Sequence, residues 1–227
     1  MLELWIRYGD RLIDGAVITV KLVALACVIG LVLAIPLALA RRSDRRWIAV
    51  PAYLYIYFFR GTPLIVQLAL LYYGLAQFET VRESPFWIVL GDAEYCGLLG
   101  LTLNTTAYVA EILRGGIAAV PKGEVEAAEA CGMSRATVYR RIVLPRAIRI
   151  AWPAYGNEVI LLMKGSALVS TITVYDLMGE TRSVFSRGYD DTVYLYAAAL
   201  YLTLALAVTG AFRLGERRMN RYLRTAG

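Results

Sequence analysis

Charged residues stand inside or against long apolar stretches in four places: Lys21, Arg60, Glu111, and Glu158 with Lys164. A charge in a bilayer core costs on the order of 3 kcal/mol, so such residues face a cavity or a partner rather than lipid. Arg60 opens the run Arg60-Gly61-Thr62-Pro63. Gly and Pro here predict a broken helix, with Thr62 as a cap and Pro63 in the first turn of the second half. A half-helix starting there favours an anionic group, and Arg60 adds to it. The alternative is a simple kink, with Arg60 paired to a carboxylate on another helix. A second polar group contains Asn104, Tyr108 and Glu111, whose spacing puts them on one helix face. A third holds Asn157, Glu158, Lys164, Ser166 and Ser170. Glu158 either accepts a cationic amine or pairs with Arg60 or Lys164. Arg60 and Glu158 together offer the two charges that a zwitterionic ligand requires. Lys21 is about one turn into its apolar stretch and can snorkel to the surface.

Other chemistries are excluded. The chain has no histidine, so a Ser-His-Asp triad, a His-based metal site and a His-held haem are impossible. Cys27, Cys96 and Cys131 are far apart and form neither a CxxC pair nor a disulfide framework. No GxxxxGK[ST] loop is present, so this chain holds no nucleotide through a P-loop. No catalytic residue and no metal site is expected. An intramembrane enzyme would need His or paired carboxylates, which are lacking.

The elements that must position these residues cross a membrane. Of the 227 residues, 59% are hydrophobic and 19% charged, against roughly 45–50% and about 25% in soluble domains. Leu22–Ala40 and Val193–Phe212 are uncharged runs of 19 and 20 residues, the length of a spanning helix. Five spans are predicted, at about 16–40, 48–77, 95–114, 150–172 and 193–213. On this assignment Glu158 lies about 12 Å in from Ile150, at 1.5 Å per residue. The connections alternate in net charge: −1 for 1–15, +3 for 41–46, −3 for 78–94, +3 for 115–149, −2 for 173–192 and +4 for 213–227. Lys/Arg excess marks the cytoplasmic side, so the N-terminus is outside and the C-terminus cytoplasmic. The same distribution explains the overall charge of +6 without a nucleic-acid partner. Ala38-Leu39-Ala40 resembles a signal-peptide cleavage site, but the long apolar run and the Arg cluster after it indicate a retained span.

The segment 115–149 is too charged to cross. Pro121 starts a helix whose first turns carry Glu124, Glu126 and Glu129. Gly132 ends it in a left-handed cap, Ser134 caps the next helix and Pro145 stops that one. The expected result is an exposed helical knob on the cytoplasmic face, or simply a solvated loop.

Residues 126–145 carry a fixed spacing: Glu126-Ala127-Ala128, Gly132, Ile142 and Leu144-Pro145. This resembles the EAA motif of permease subunits of ABC importers. Phe59-Arg60-Gly61-Thr62-Pro63-Leu64, Asn157-Glu158-Val159-Ile160 and Lys164-Gly165-Ser166-Ala167-Leu168 resemble the polar amino-acid uptake branch, over about residues 12–220. The likeness is greatest to histidine/lysine/arginine/ornithine and octopine/nopaline permeases. The resemblance implies a single all-α permease domain over 1–227 in a bacterial inner membrane, paired with an identical or sister permease. The segment 120–145 would dock into a dimeric ATPase through Glu126, Ala127, Ala128, Gly132, Ile142, Leu144 and Pro145. ATP and Mg would be bound by that ATPase, leaving no cofactor in this chain. An extracytoplasmic binding protein would deliver the amino acid. Carried onto the matching positions, Arg60 and Thr62 lie near the ligand carboxylate. Asn157 and Glu158 lie near its amine or cationic side chain, and Asn104 and Tyr108 line the path. The intramembrane carboxylate suits a cationic amino acid or an opine. The competing reading is a stand-alone channel or secondary transporter.

Overall fold

The computed structural model describes residues 2–220, which are helical and contain no strand. The C-terminal residues 221–227, part of the basic tail that sets the orientation argument, lie outside this range.

Helix α1 runs Leu2–Arg41, 40 residues and about 60 Å long. It begins well before the apolar run. Trp5, Tyr8, Leu12 and Ala16 recur at helical spacing and form a cluster with Leu177, Val184 and Val193, so the polar first turns gain an apolar seam to fold on. The second expected span is broken. Helix α2 (Arg46–Gly61) and α3 (Leu64–Ala69) meet at the Gly-Thr-Pro break, and α2 is bent 105° from the segment 64–77. A π turn (Leu70–Gly74) and a 3-10 turn (Leu75–Gln77) follow α3. One-turn helices α4 (Glu79–Arg82) and α5 (Trp87–Leu90) lead to α6, Ala93–Ala118. Asp92 caps α6 by accepting from the Tyr95 N–H.

Helix α7 (Lys122–Ala130) begins after Pro121 and ends at Gly132, whose φ is +78°. The Gly132 N–H donates to Glu129 O and the Met133 N–H to Ala128 O, the paired bonds of a Schellman end. Ser134 caps α8 (Arg135–Val138). Pro145 does not stop this helix. A π turn, Tyr139–Val143, joins α8 to α9 (Leu144–Ser166), and Pro145 sits in the first turn of α9. A proline clashes with the carbonyl four residues back and has no N–H to give. The wider turn just before it removes both demands, so helical geometry continues where a stop is expected. A 3-10 turn, Ala167–Ile172, finishes the run. The acidic connection 173–192, read only for its charge, folds as α10, Leu177–Gly188. Its signal was Asp176, which caps it by accepting from the Gly179 N–H. Helix α11 is Thr192–Met219.

Among the described residues three helices, α1, α6 and α11, are long and apolar enough to cross a membrane, and two bent pairs raise the number to as many as five if each is one span. Helices α1 and α6 pack closely through small residues. Ala34 and Ala38 cluster with Ala107 and Ala110, and a Cβ on Gly30 would stand 2.5 Å from the Thr105 methyl. Such approach by small residues is how helices associate in lipid.

Candidate functional site

The break between α2 and α3 is held by Gln67. Its side-chain amide donates to Phe59 O, Thr62 O and Thr62 Oγ1 at 2.8–3.1 Å. Its carbonyl accepts from Asn104 Nδ2 at 3.0 Å. A broken helix strands the last carbonyls of its first half, and Gln67, only 2% exposed, satisfies them. The sequence reading passed over it. The available signal was that Gln67 is the one polar side chain between Pro63 and Leu71. Thr62 is a cap, but of the end of α2, with its N–H and hydroxyl both donating to Phe58 O. Pro63 stands at the N-cap position of α3 rather than in its first turn. Helical turns continue from α3 to Gln77, so the half-helix expected after the break is present, and Arg60 adds positive charge beside its start.

Beside the break lies an open cavity of about 470 Å³, lined by Arg60, Thr62, Asn104, Tyr108 and Glu158 among others. Arg60 lies over the Tyr108 ring, 5.2 Å from its centroid, a contact worth about 0.5–2 kcal/mol. Glu158 is 6% exposed. It accepts from Thr105 Oγ1 at 3.3 Å and makes no ion pair among the described residues. Neither alternative pairing, to Arg60 or to Lys164, is formed. A carboxylate removed from water costs several kcal/mol unless a cation meets it, so Glu158 supplies a site that a cation would complete. Asn157 is not brought in. One residue along α9 turns it about 100° away, and it is exposed and absent from the lining. Five of the six expected ligand residues therefore share one cavity.

Glu111 faces elsewhere, held by Arg114 through two parallel bonds, Nε to Oε1 at 3.0 Å and the terminal nitrogen to Oε2 at 2.8 Å. Lys21 does more than snorkel: it pairs with Glu94 near the start of α6.

The knob is divided between core and surface. Ala128 is buried with Val138, Val143 and Ala147. Glu126, Ala127, Gly132 and Leu144 are exposed, and Ile142 and Pro145 half-buried. Arg146 ties the start of α9 to Glu124 of α7 at 2.9 Å.

Long apolar helices, a broken span with buried polar side chains around an open cavity, and a basic helical knob define a membrane permease. The chain belongs to the family of binding-protein-dependent transport system inner membrane components, whose profile matches residues 26–221, and is a permease of the amino-acid and opine branch of ABC importers. It is 46% identical to the octopine transport system permease of Rhizobium radiobacter over 217 residues, 92% of this chain and 89% of that protein. It is 45% identical to the histidine/lysine/arginine/ornithine permease of Escherichia coli K12, over 90% of this chain and 87% of that one. A crystal structure of an amino acid ABC transporter with histidines superposes with a TM-score of 0.84 at 38% identity, covering 94% of this chain and 96% of the other. An inward-facing methionine transporter matches the fold with a TM-score of 0.75 at 18% identity, covering 94% and 98%.

Proposed function

We propose that this chain is one of two permease halves of an ATP-driven importer, and that the cavity at the α2–α3 break takes a cationic amino acid or opine. The observation that carries this reading is Glu158: a buried carboxylate, hydrogen-bonded among the described residues by Thr105 alone, facing an open cavity that also holds a guanidinium. A ligand with a carboxylate and a cationic nitrogen satisfies both ends, Arg60 taking the first and Glu158 the second, while Thr62, whose N–H and hydroxyl both donate to Phe58 O, holds the break beside Arg60. Asn104 is spent on Gln67 and shapes the wall. The alternating loop charges support an external N-terminus and a cytoplasmic C-terminus. The knob of α7 and α8 then lies in the cytoplasm, where Glu126, Ala127 and Leu144 are free to meet a separate dimeric ATPase that binds ATP and Mg. The octopine and basic amino-acid permeases of Rhizobium radiobacter and Escherichia coli support the choice of substrate class. An extracytoplasmic binding protein supplies the ligand, and the second permease is this chain again or a sister.

Replacing Glu158 by Gln in the assembled complex tests the assignment. Loss of an ionic hydrogen bond of about 1.5–3 kcal/mol lowers equilibrium affinity for L-arginine at least tenfold. Unchanged affinity in E158Q overturns it.

A further inference from the structure

A second cavity, of about 320 Å³, adjoins the first. It is lined by Arg41, Tyr53, Ile56, Tyr57, Arg60, Gly61 and Glu111, so Arg60 and Gly61 face both. Tyr53, Tyr57 and Arg60 follow one another at i, i+4 and i+7 and form one face of α2. The Arg41 guanidinium lies over the Tyr53 ring, 4.9 Å from its centroid. Arg60 is seven residues further along, about 10 Å by helical rise. The two guanidiniums thus stand at the two ends of one cavity, Arg60 beside the Glu158 cavity and Arg41 at the end where α1 stops.

The charges do not balance. The carboxylate in this lining, Glu111, is committed to Arg114 through both of its oxygens. Arg41 and Arg60 are in no ion pair among the described residues. The Arg41 Nε is buried and has no hydrogen-bond partner among them. A buried donor left unmade costs about 1–3 kcal/mol, and an arginine fork is shaped to take a carboxylate. Surplus positive charge, an unmet N–H and continuity with the ligand cavity together describe a place for an anion.

We propose that Arg41 forms a second, exit-side subsite for the substrate's carboxylate, which passes from Arg60 to Arg41 as the ligand leaves the Glu158 cavity. The proposal rests on the reading of that cavity as the ligand site. The two positive ends also oppose leakage of small inorganic cations along the same route.

The test uses the complex with its ATPase, permease partner and binding protein, reconstituted in neutral phosphatidylcholine vesicles and in vesicles with anionic phosphatidylglycerol. The probe is L-arginine, and the variants are Arg41→Gln and Tyr53→Leu. Arg42, Arg45 and Arg46 keep the connection basic in both. The expected result is that R41Q binds arginine within twofold of the unsubstituted complex, while its maximal uptake rate falls at least tenfold in both kinds of vesicle. Y53L, which removes the ring and keeps the charge, slows uptake less than threefold. Unchanged uptake in R41Q overturns the proposal. So does a joint fall of affinity and rate, or a Y53L defect equal to that of R41Q, since each marks a structural role. A deficit confined to anionic vesicles also overturns it, because Arg41 then holds a lipid phosphate. An unsubstituted complex that neither binds nor carries arginine removes the Glu158 reading and this one with it, whereas loss of affinity in E158Q and not in R41Q separates the two subsites.

Discussion

A single buried acid illustrates how much one side chain contributes at the α10 end of the molecule. Asp176 is fully buried, caps α10 and accepts from the Tyr201 hydroxyl at 3.4 Å. It lies beyond the fourth expected span, and burial pushes its carboxyl up to about 6. An acid whose folded pKa is raised stabilises the fold fully below its ordinary value of 3.8 and loses that contribution as pH rises through about 6. Asparagine caps as well as aspartate and carries no charge. The Asp176→Asn variant should therefore gain stability over the parent as pH rises from 4 to 7, by on the order of 2–3 kcal/mol. Thermal unfolding in detergent at several pH values checks this; a difference independent of pH contradicts it. At this scale the lining of the cavity at the α2–α3 break was largely legible, because Arg60, Asn104, Tyr108 and Glu158 are polar where lipid tolerates none. Asn157 misled because it neighbours Glu158 in sequence, and a helix turns neighbours away from each other. Gln67 was missed because an amide in an apolar run advertises a hydrogen bond without saying to what.

Among the elements, the long apolar stretches and their order could be read directly, since spacing and length carry that information. What depended on local geometry could not. Pro145 is a helix stop by propensity and an ordinary first-turn residue after a π turn. The run from Arg135 to Ile172 is consequently helical throughout, and joins the knob to the wall that carries Glu158. Gly132 is the point where α7 turns onto that run. Its φ of +78° is open to glycine and closed to proline, whose ring fixes φ near −65°. The Gly132→Pro variant should insert and assemble normally, yet hydrolyse ATP with substrate-stimulated uptake lost. Normal uptake coupled to normal stimulation in that variant refutes the role of α7 as the transmitting element.

At the scale of the whole molecule, the cavity at the α2–α3 break is open, and α11 exposes Leu195, Leu202, Leu206 and Leu214. Purification of the tagged chain from its own membranes should bring down a P-loop ATPase, with either no other permease or one sister permease. A chain that came alone, stable and active for flux in liposomes would point instead to a channel or secondary transporter.

The junction of the first and last thirds of the chain has a consequence for how the protein is made. Arg11 bonds Ser183 and pairs with Glu180, Trp5 stacks against Tyr196, and the Thr19 hydroxyl receives the Leu177 N–H. Every one of these contacts joins residues more than 150 positions apart. During synthesis at about 5–20 residues per second, the opening turns of α1 therefore wait on the order of 10–40 s for their partners. Through that interval Trp5, Tyr8 and Leu12 have no apolar seam to lie on. A nascent chain halted before residue 177 should leave this end of α1 open to protease, and one released after α11 should close it. Maturation of this permease is thus timed by α10 and α11 rather than by its first helix.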